Sequence, residues 1–98
     1  MYDTIDQMAA LNRAAGHNWF NHDTLEWFGC KIESSVLHGR YFISSEQDQH
    51  GAWGGERRYT IRMVDDRGVV HTLGRFGQYA NLVEAAHELT MKLDGAMS

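Results

Sequence analysis

The stretch HNWFNHDTLEWF, from His17 to Phe28, holds two histidines, an acidic pair and four aromatic residues. Histidines and carboxylates at this density are the raw material of a metal site or an acid–base pair. Zinc, however, needs three or four ligands in a tetrahedral array, usually drawn from more than one rigid element. His17 and His22 flank Trp19-Phe20, with no cysteine or HxH pair beside them, and Asp23 and Glu26 follow. The pattern reads instead as an anchor. Trp19 or Phe20 docks ahead of a short helix, Trp27 and Phe28 pack behind it, and the two histidines stay at the surface.

Three further patterns approach a chemical motif and miss it. His87-Glu88-Leu89-Thr90-Met91 has the start of a helical H-E-x-x-H zinc site, but Met91 stands where the second histidine must be. The glycines of HGAWGG (Gly51, Gly54, Gly55) lack the Gly-Lys-Ser/Thr of a phosphate loop, and the segment joins two expected strands instead of opening a helix. A nucleophilic site needs a base and an orienting group at fixed spacing. Ser44, Ser45, His38 and His50 supply the residue types without the spacing. Cys30 is the single cysteine; it cannot form an intramolecular disulfide, and its apolar neighbours point to a buried, inert thiol. The expectation is a chain without catalytic residues, metal or cofactor.

The charge balance narrows the partners. The net charge is −4 and the pI about 5.8. Sequence-tolerant nucleic-acid binding depends on Lys and Arg neutralising phosphates. Only Lys31 and Lys92 are lysines, and the longest basic run is Arg57-Arg58, so direct nucleic-acid binding is disfavoured. No apolar run reaches the roughly 20 residues of a membrane span, and no leader pattern is seen at the N-terminus. The expected compartment is the cytoplasm. At 98 residues, with 43% hydrophobic and 11% aromatic content, the chain is expected to form a single domain, 1–98.

The elements that must position these residues follow from periodicity. Thr4 to Ala15 places Ile5, Met8, Ala9 and Leu11 near one helical face, with Gly16 as the stop. Asp23-Thr24-Leu25-Glu26 reads as a capped start for a helix of about Thr24 to Phe28. From Cys30 the period shortens to two. Lys31 to Leu37 is an expected strand, His38-Gly39 a turn, and Arg40 to Ser45 the antiparallel partner. Glu46 to Glu56 is a polar, glycine-rich loop. Arg58 to Val64 alternates cleanly, Asp65 to Gly68 turns, and Val69 to Phe76 returns. Asn81 caps a last amphipathic helix to about Leu93, with Leu82, Ala85, Ala86, Leu89 and Leu93 as its buried stripe. The expected fold is α+β in the order ααββββα: a four-stranded antiparallel meander with the helices packed on one face.

Within that frame, Trp53 is the most telling residue for binding. An indole in a polar loop either folds back to cap the sheet or anchors an interface. If the sheet face away from the helices is open, it carries Arg58, Thr60, Arg62 and Phe42, a surface suited to a protein partner or a single-stranded nucleic acid. The expected contact set is Trp53, His50, Arg57, Arg58 and Arg62, joined by the acidic Asp65, Asp66, Glu84 and Glu88. These acidic residues would face a basic groove as a nucleic-acid mimic. An expected edge strand at Lys31 to Leu37 also admits a homodimer.

The segments NRAAGHNWFNHDTLEWFGCKI, RYFISSE, RRYTIRMVDDRG and FGQYANLVEAAHEL span most of the chain. Together they resemble a group of short, uncharacterised proteins of phages and prophages. The resemblance implies a small accessory protein acting inside a bacterial host cell. By analogy of size and setting it implies binding to a host protein or ribonucleoprotein defence complex such as CRISPR–Cas. The alternative is a nucleic-acid-binding domain using the arginine-bearing sheet face.

Overall fold

The computed structural model describes residues 1–27, 29–47 and 55–97. Helix α1, Ile5–Ala14, begins where the Thr4 hydroxyl accepts the Gln7 N–H at 3.2 Å and the Gln7 side chain accepts the Asp3 N–H at 2.7 Å. Both bonds satisfy donors that a helix start leaves orphaned. The helix closes at Gly16, where φ is +88°. There the N–H groups of Gly16 and His17 donate to the carbonyls of Arg13 and Asn12 at 3.0 and 2.9 Å, the paired bonds of a Schellman closure. Helix α2, His22–Trp27, starts before the expected cap, so Asp23 lies inside its first turn. Helix α3, Leu82–Met97, is capped as expected: the Asn81 side-chain oxygen accepts the Glu84 N–H at 2.8 Å.

Between the helices run β1 (Lys31–Ile32), β2 (Tyr41–Gln47), β3 (Arg57–Val64) and β4 (Val70–Leu73). They form one antiparallel sheet in the order β1-β2-β3-β4. The fold class, the element order and the meander are those the periodicity predicts. Strand β1 is far shorter than expected because serine chemistry interrupts it. The Ser34 hydroxyl takes the Ile43 N–H at 2.9 Å where a ladder carbonyl would otherwise stand. The chain rejoins β2 only at the Leu37–Tyr41 bridge. Strand β2 runs beyond the expected Ser45 and takes in Glu46 and Gln47. Strand β4 ends at Leu73, where Gly74 turns the chain with φ +83°.

The helices cover both faces of the sheet, which corrects the expectation of one. Phe42 and Ile43 are consecutive and both fully buried, and consecutive strand residues point to opposite faces. Each face therefore requires its own cover. Phe42 joins Met8, Ala9, Phe20 and Val64 beneath α1, with Trp19 and Ile32 alongside. Ile43 joins Ile61, Tyr79, Ala85 and Leu89 beneath α3. Within the first core, Trp19 meets the edges of Phe20 and Phe42 with ring centroids 4.9 and 5.5 Å apart. Trp19 and Phe20 thus dock as expected. Trp27 does not pack behind them; it is 81% exposed. Phe28 lies outside the described residues.

One buried amide joins α1 to the sheet. The Asn12 side-chain nitrogen donates to the Gly68 carbonyl at 2.7 Å, and its oxygen accepts the Trp19 N–H at 3.2 Å. The approach is close because Gly68 has no Cβ. A Cβ there would stand 2.9 Å from backbone atoms of Leu11 and Asn12, and φ at Gly68 is +80°. Gly68→Ala should therefore destabilise the fold by about 2 kcal/mol or more, combining left-handed backbone strain with displacement of α1. Urea unfolding measures it, and a loss below about 0.5 kcal/mol would show that α1 docks otherwise.

Candidate functional site

Register builds the site. Pairing of β2 with β3 sets Phe42 opposite Arg62, Ser44 opposite Thr60 and Glu46 opposite Arg58, so these side chains share one face. Glu46 is 2% exposed and Arg62 8%, and a guanidinium nitrogen of Arg62 lies 3.2 Å from Glu46 Oε1. The Thr60 hydroxyl donates to the same oxygen at 2.6 Å. The Ser44 hydroxyl donates to Oε2 at 2.8 Å, joined by the Cys30 thiol at 3.7 Å. Arg62 also donates through Nε to Ser44 at 3.1 Å and through a terminal nitrogen to Thr72 at 2.7 Å. Its guanidinium carbon stands 5.4 Å from the ring centroids of both Trp19 and Phe76, within cation–π range.

Above this network lies a cleft of about 280 Å³ lined by Trp19, Thr24, Leu25, Cys30, Glu46, Arg62 and Phe76. Each element contributes for a local reason. Asn12 fixes the backbone of Trp19, the short α2 presents Thr24 and Leu25, and the turn after β4 brings Phe76 over Arg62. That turn is held by the Gly77 N–H, which donates to Thr60 Oγ1 at 2.8 Å. Burial, reinforced by the Glu46 charge, pushes the Cys30 thiol up to about 12. A thiol held protonated is a poor nucleophile, so the inert reading of Cys30 agrees with its surroundings.

The residues expected to form one contact surface are dispersed. Arg62 belongs to the buried network, and Phe42 and Thr60 are fully buried, so the sheet face that carries them is not open. Arg58 bonds the carbonyls of Gly77 and Gln78. Arg57, on the opposite face, bonds the Gly29 carbonyl at 2.9 Å and Ser45 at 2.8 Å. Asp66 is exposed at the β3–β4 turn, 3.8 Å from Arg40. Glu84 and Glu88 lie on α3, with Glu88 4.0 Å from Lys92. His50 and Trp53 lie outside the described residues. His17 and His22 are exposed as expected, and His22 pairs with Glu26, at 3.2 Å. Among the described residues no three His, Cys, Asp or Glu side chains converge as a metal site.

Sequence reasoning missed Glu46 by placing it in a loop. The available signal was the alternation Phe42-Ser44-Glu46 facing Arg58-Thr60-Arg62 across a hairpin. Removing one partner of a buried ion pair leaves a bare charge. Glu46→Leu and Arg62→Met should each cost about 3–5 kcal/mol, while the double variant should cost less than their sum. Urea unfolding of the full cycle checks this, and additive losses would mean that the two side chains are not coupled.

Asp65 is tied into its turn. His71 Nε2 sits 2.8 Å from Oδ2, and Oδ1 accepts the N–H groups of Arg67 and Val69 at 2.9 and 3.0 Å. The bond from His71, then that from Val69, hold the carboxyl down at about 2. A depressed carboxyl contributes stability that is complete above its unfolded value of about 4 and lost as pH falls through about 2. Asp65→Asn should flatten the acid-induced loss of stability across that window. Circular dichroism from pH 6 to 2 checks this, and identical profiles for the two proteins would exclude it.

Among the described residues no helix is long and apolar enough to cross a membrane. Comparison with curated proteins and with solved structures gives no match. Residues 4–90 match the family of unknown function DUF7447. That match takes in both cores, the buried Glu46–Arg62 network and the cleft above it, and the chain belongs to this family.

Proposed function

We propose that the protein is a binding domain without catalytic chemistry and that it acts by contact with another protein. The observation that carries this reading is Trp27, 81% exposed at the end of α2. A small domain with two cores to fill has reason to bury an indole, and one left in solvent is a ready interface anchor. Leu25 and Phe76 add apolar surface around the neighbouring cleft. The nucleophile candidate Cys30 is kept protonated, and the Glu46 carboxylate is occupied by four hydrogen bonds.

The narrower reading is that the partner belongs to a host defence complex, such as CRISPR–Cas, in the cytoplasm of a bacterial cell. Its support is the resemblance to short phage and prophage proteins together with the acidic charge of the chain. Trp53 and His50, next to the basic pair Arg57-Arg58, remain part of the proposed contact set.

Trp27→Ala tests the reading. The unfolding midpoint should stay within a few degrees of the parent, as for other surface substitutions. Affinity for a partner captured from bacterial extract should fall by about 2 kcal/mol, roughly thirtyfold. Unchanged affinity, or loss of the fold, would remove Trp27 from the interface. Recovery of a defence-complex subunit by the parent and not by the variant would support the narrower reading.

A further inference from the structure

The cleft over Arg62 has walls and floor of opposite character. Trp19, Leu25 and Phe76 make the walls apolar, while the floor is the ion pair of Arg62 and Glu46. The floor offers donors rather than acceptors. Each carboxylate oxygen of Glu46 already accepts two hydrogen bonds, from Thr60 and Arg62 and from Ser44 and Cys30, which fills its capacity. A guanidinium has five N–H donors. Among the described residues three of them are engaged, by Ser44, Thr72 and Glu46.

Charge and size narrow the occupant further. The Arg62 charge is already balanced by Glu46 at 3.2 Å, so a full anion would lose its hydration for little additional attraction. A neutral carbonyl oxygen accepts the same N–H groups at lower desolvation cost. The volume of about 280 Å³ lies just below the roughly 300–1,000 Å³ range of ligand pockets. It suits one ring or a fused pair. Phe76, half exposed at 49%, and Trp19 give such a ring flat apolar surfaces to lie against.

We propose that the cleft binds a small, uncharged, planar molecule bearing a carbonyl oxygen, such as an aromatic amide or cyclic imide. Its ring lies against Trp19 and Phe76, and its oxygen accepts from Arg62. The protein-contact reading is carried by Trp27, which does not line the cleft, so the two readings are tested apart.

Benzamide, benzoate and benzylamine share a ring and differ in charge and donor pattern, so they serve as probes on the full chain. In a titration followed by amide nuclear magnetic resonance, benzamide should shift the signals of Thr24, Leu25, Cys30 and Phe76 with a Kd on the order of 1 mM, as its size allows. Benzoate and benzylamine should bind at least about tenfold more weakly. Phe76→Ala removes one wall and Thr24→Trp fills the space from α2. Each variant, with its spectrum still dispersed as for a folded protein, should weaken benzamide at least about fivefold. The proposal is overturned if benzamide fails to bind below about 10 mM. Equal binding of benzoate or benzylamine overturns it too, as does unchanged benzamide affinity in both folded variants.

Discussion

The structure turns on one buried ion pair. Glu46 and Arg62 come from neighbouring strands and are enclosed on the sheet face that also carries Phe42 and Val64 of the first core. Removing two charges from water costs several kcal/mol each, and only excellent geometry with further hydrogen bonds offsets it. Here the compensation is extensive: Ser44, Thr60, Thr72 and Cys30 bond the pair within the sheet, and Trp19 and Phe76 flank the guanidinium. The pair in turn constrains what surrounds it. The β2–β3 register places its two members on one face, and the segments carrying Trp19 and Phe76 exclude water from it.

The sheet divides the small interior into two apolar cores with different tasks, and the ion pair lies on the face of the first. The core beneath α3 is a conventional amphipathic helix on a strand pair, led by Ile43, Ile61, Ala85 and Leu89. The core beneath α1 is aromatic and sits beside the polar network. It is positioned by Asn12, whose amide joins helix, loop and turn. A shift of α1 would therefore move Trp19, and with it one wall of the cleft. Stability and the proposed binding chemistry depend on the same few contacts.

Among the described residues the exposed large apolar side chains are Met1, Trp27, Phe76, Val83 and Met91. Phe76 lines the cleft with Leu25, Trp27 ends the same short helix as Leu25, and Val83 and Met91 are on α3. Single exposed apolar residues are ordinary on a protein surface. A tryptophan with four-fifths of its surface in water, next to a cleft with aromatic walls, is less ordinary, and the proposed contact is placed there for that reason. The acidic residues are distributed differently. Asp65 is committed to its turn, whereas Asp66 and Glu84 remain in solvent.

The sequence by itself determined the local elements and their order. The Thr4 and Asn81 caps lie where side chains satisfy nearby backbone donors, and Gly16 stands where the chain turns left-handed; both depend on residues a few positions apart. The alternation of Arg58 to Val64 likewise marked a strand, and the short connections marked a meander. Only the tertiary structure decided which faces were covered and which polar residues were enclosed. Phe42 and Ile43, adjacent and both fully buried, show a sheet covered on two sides where the sequence pattern read as a sheet covered on one. Glu46 read as the start of a polar loop, because its burial depends on Arg62 across the hairpin and on Trp19 and Phe76 from remote segments. Trp27 read as core by its type, yet it stands 81% exposed at the end of α2, whose Thr24 and Leu25 face the cleft instead. Local hydrogen bonding and periodicity are written in neighbouring residues, whereas burial is settled by what other parts of the chain leave to be filled.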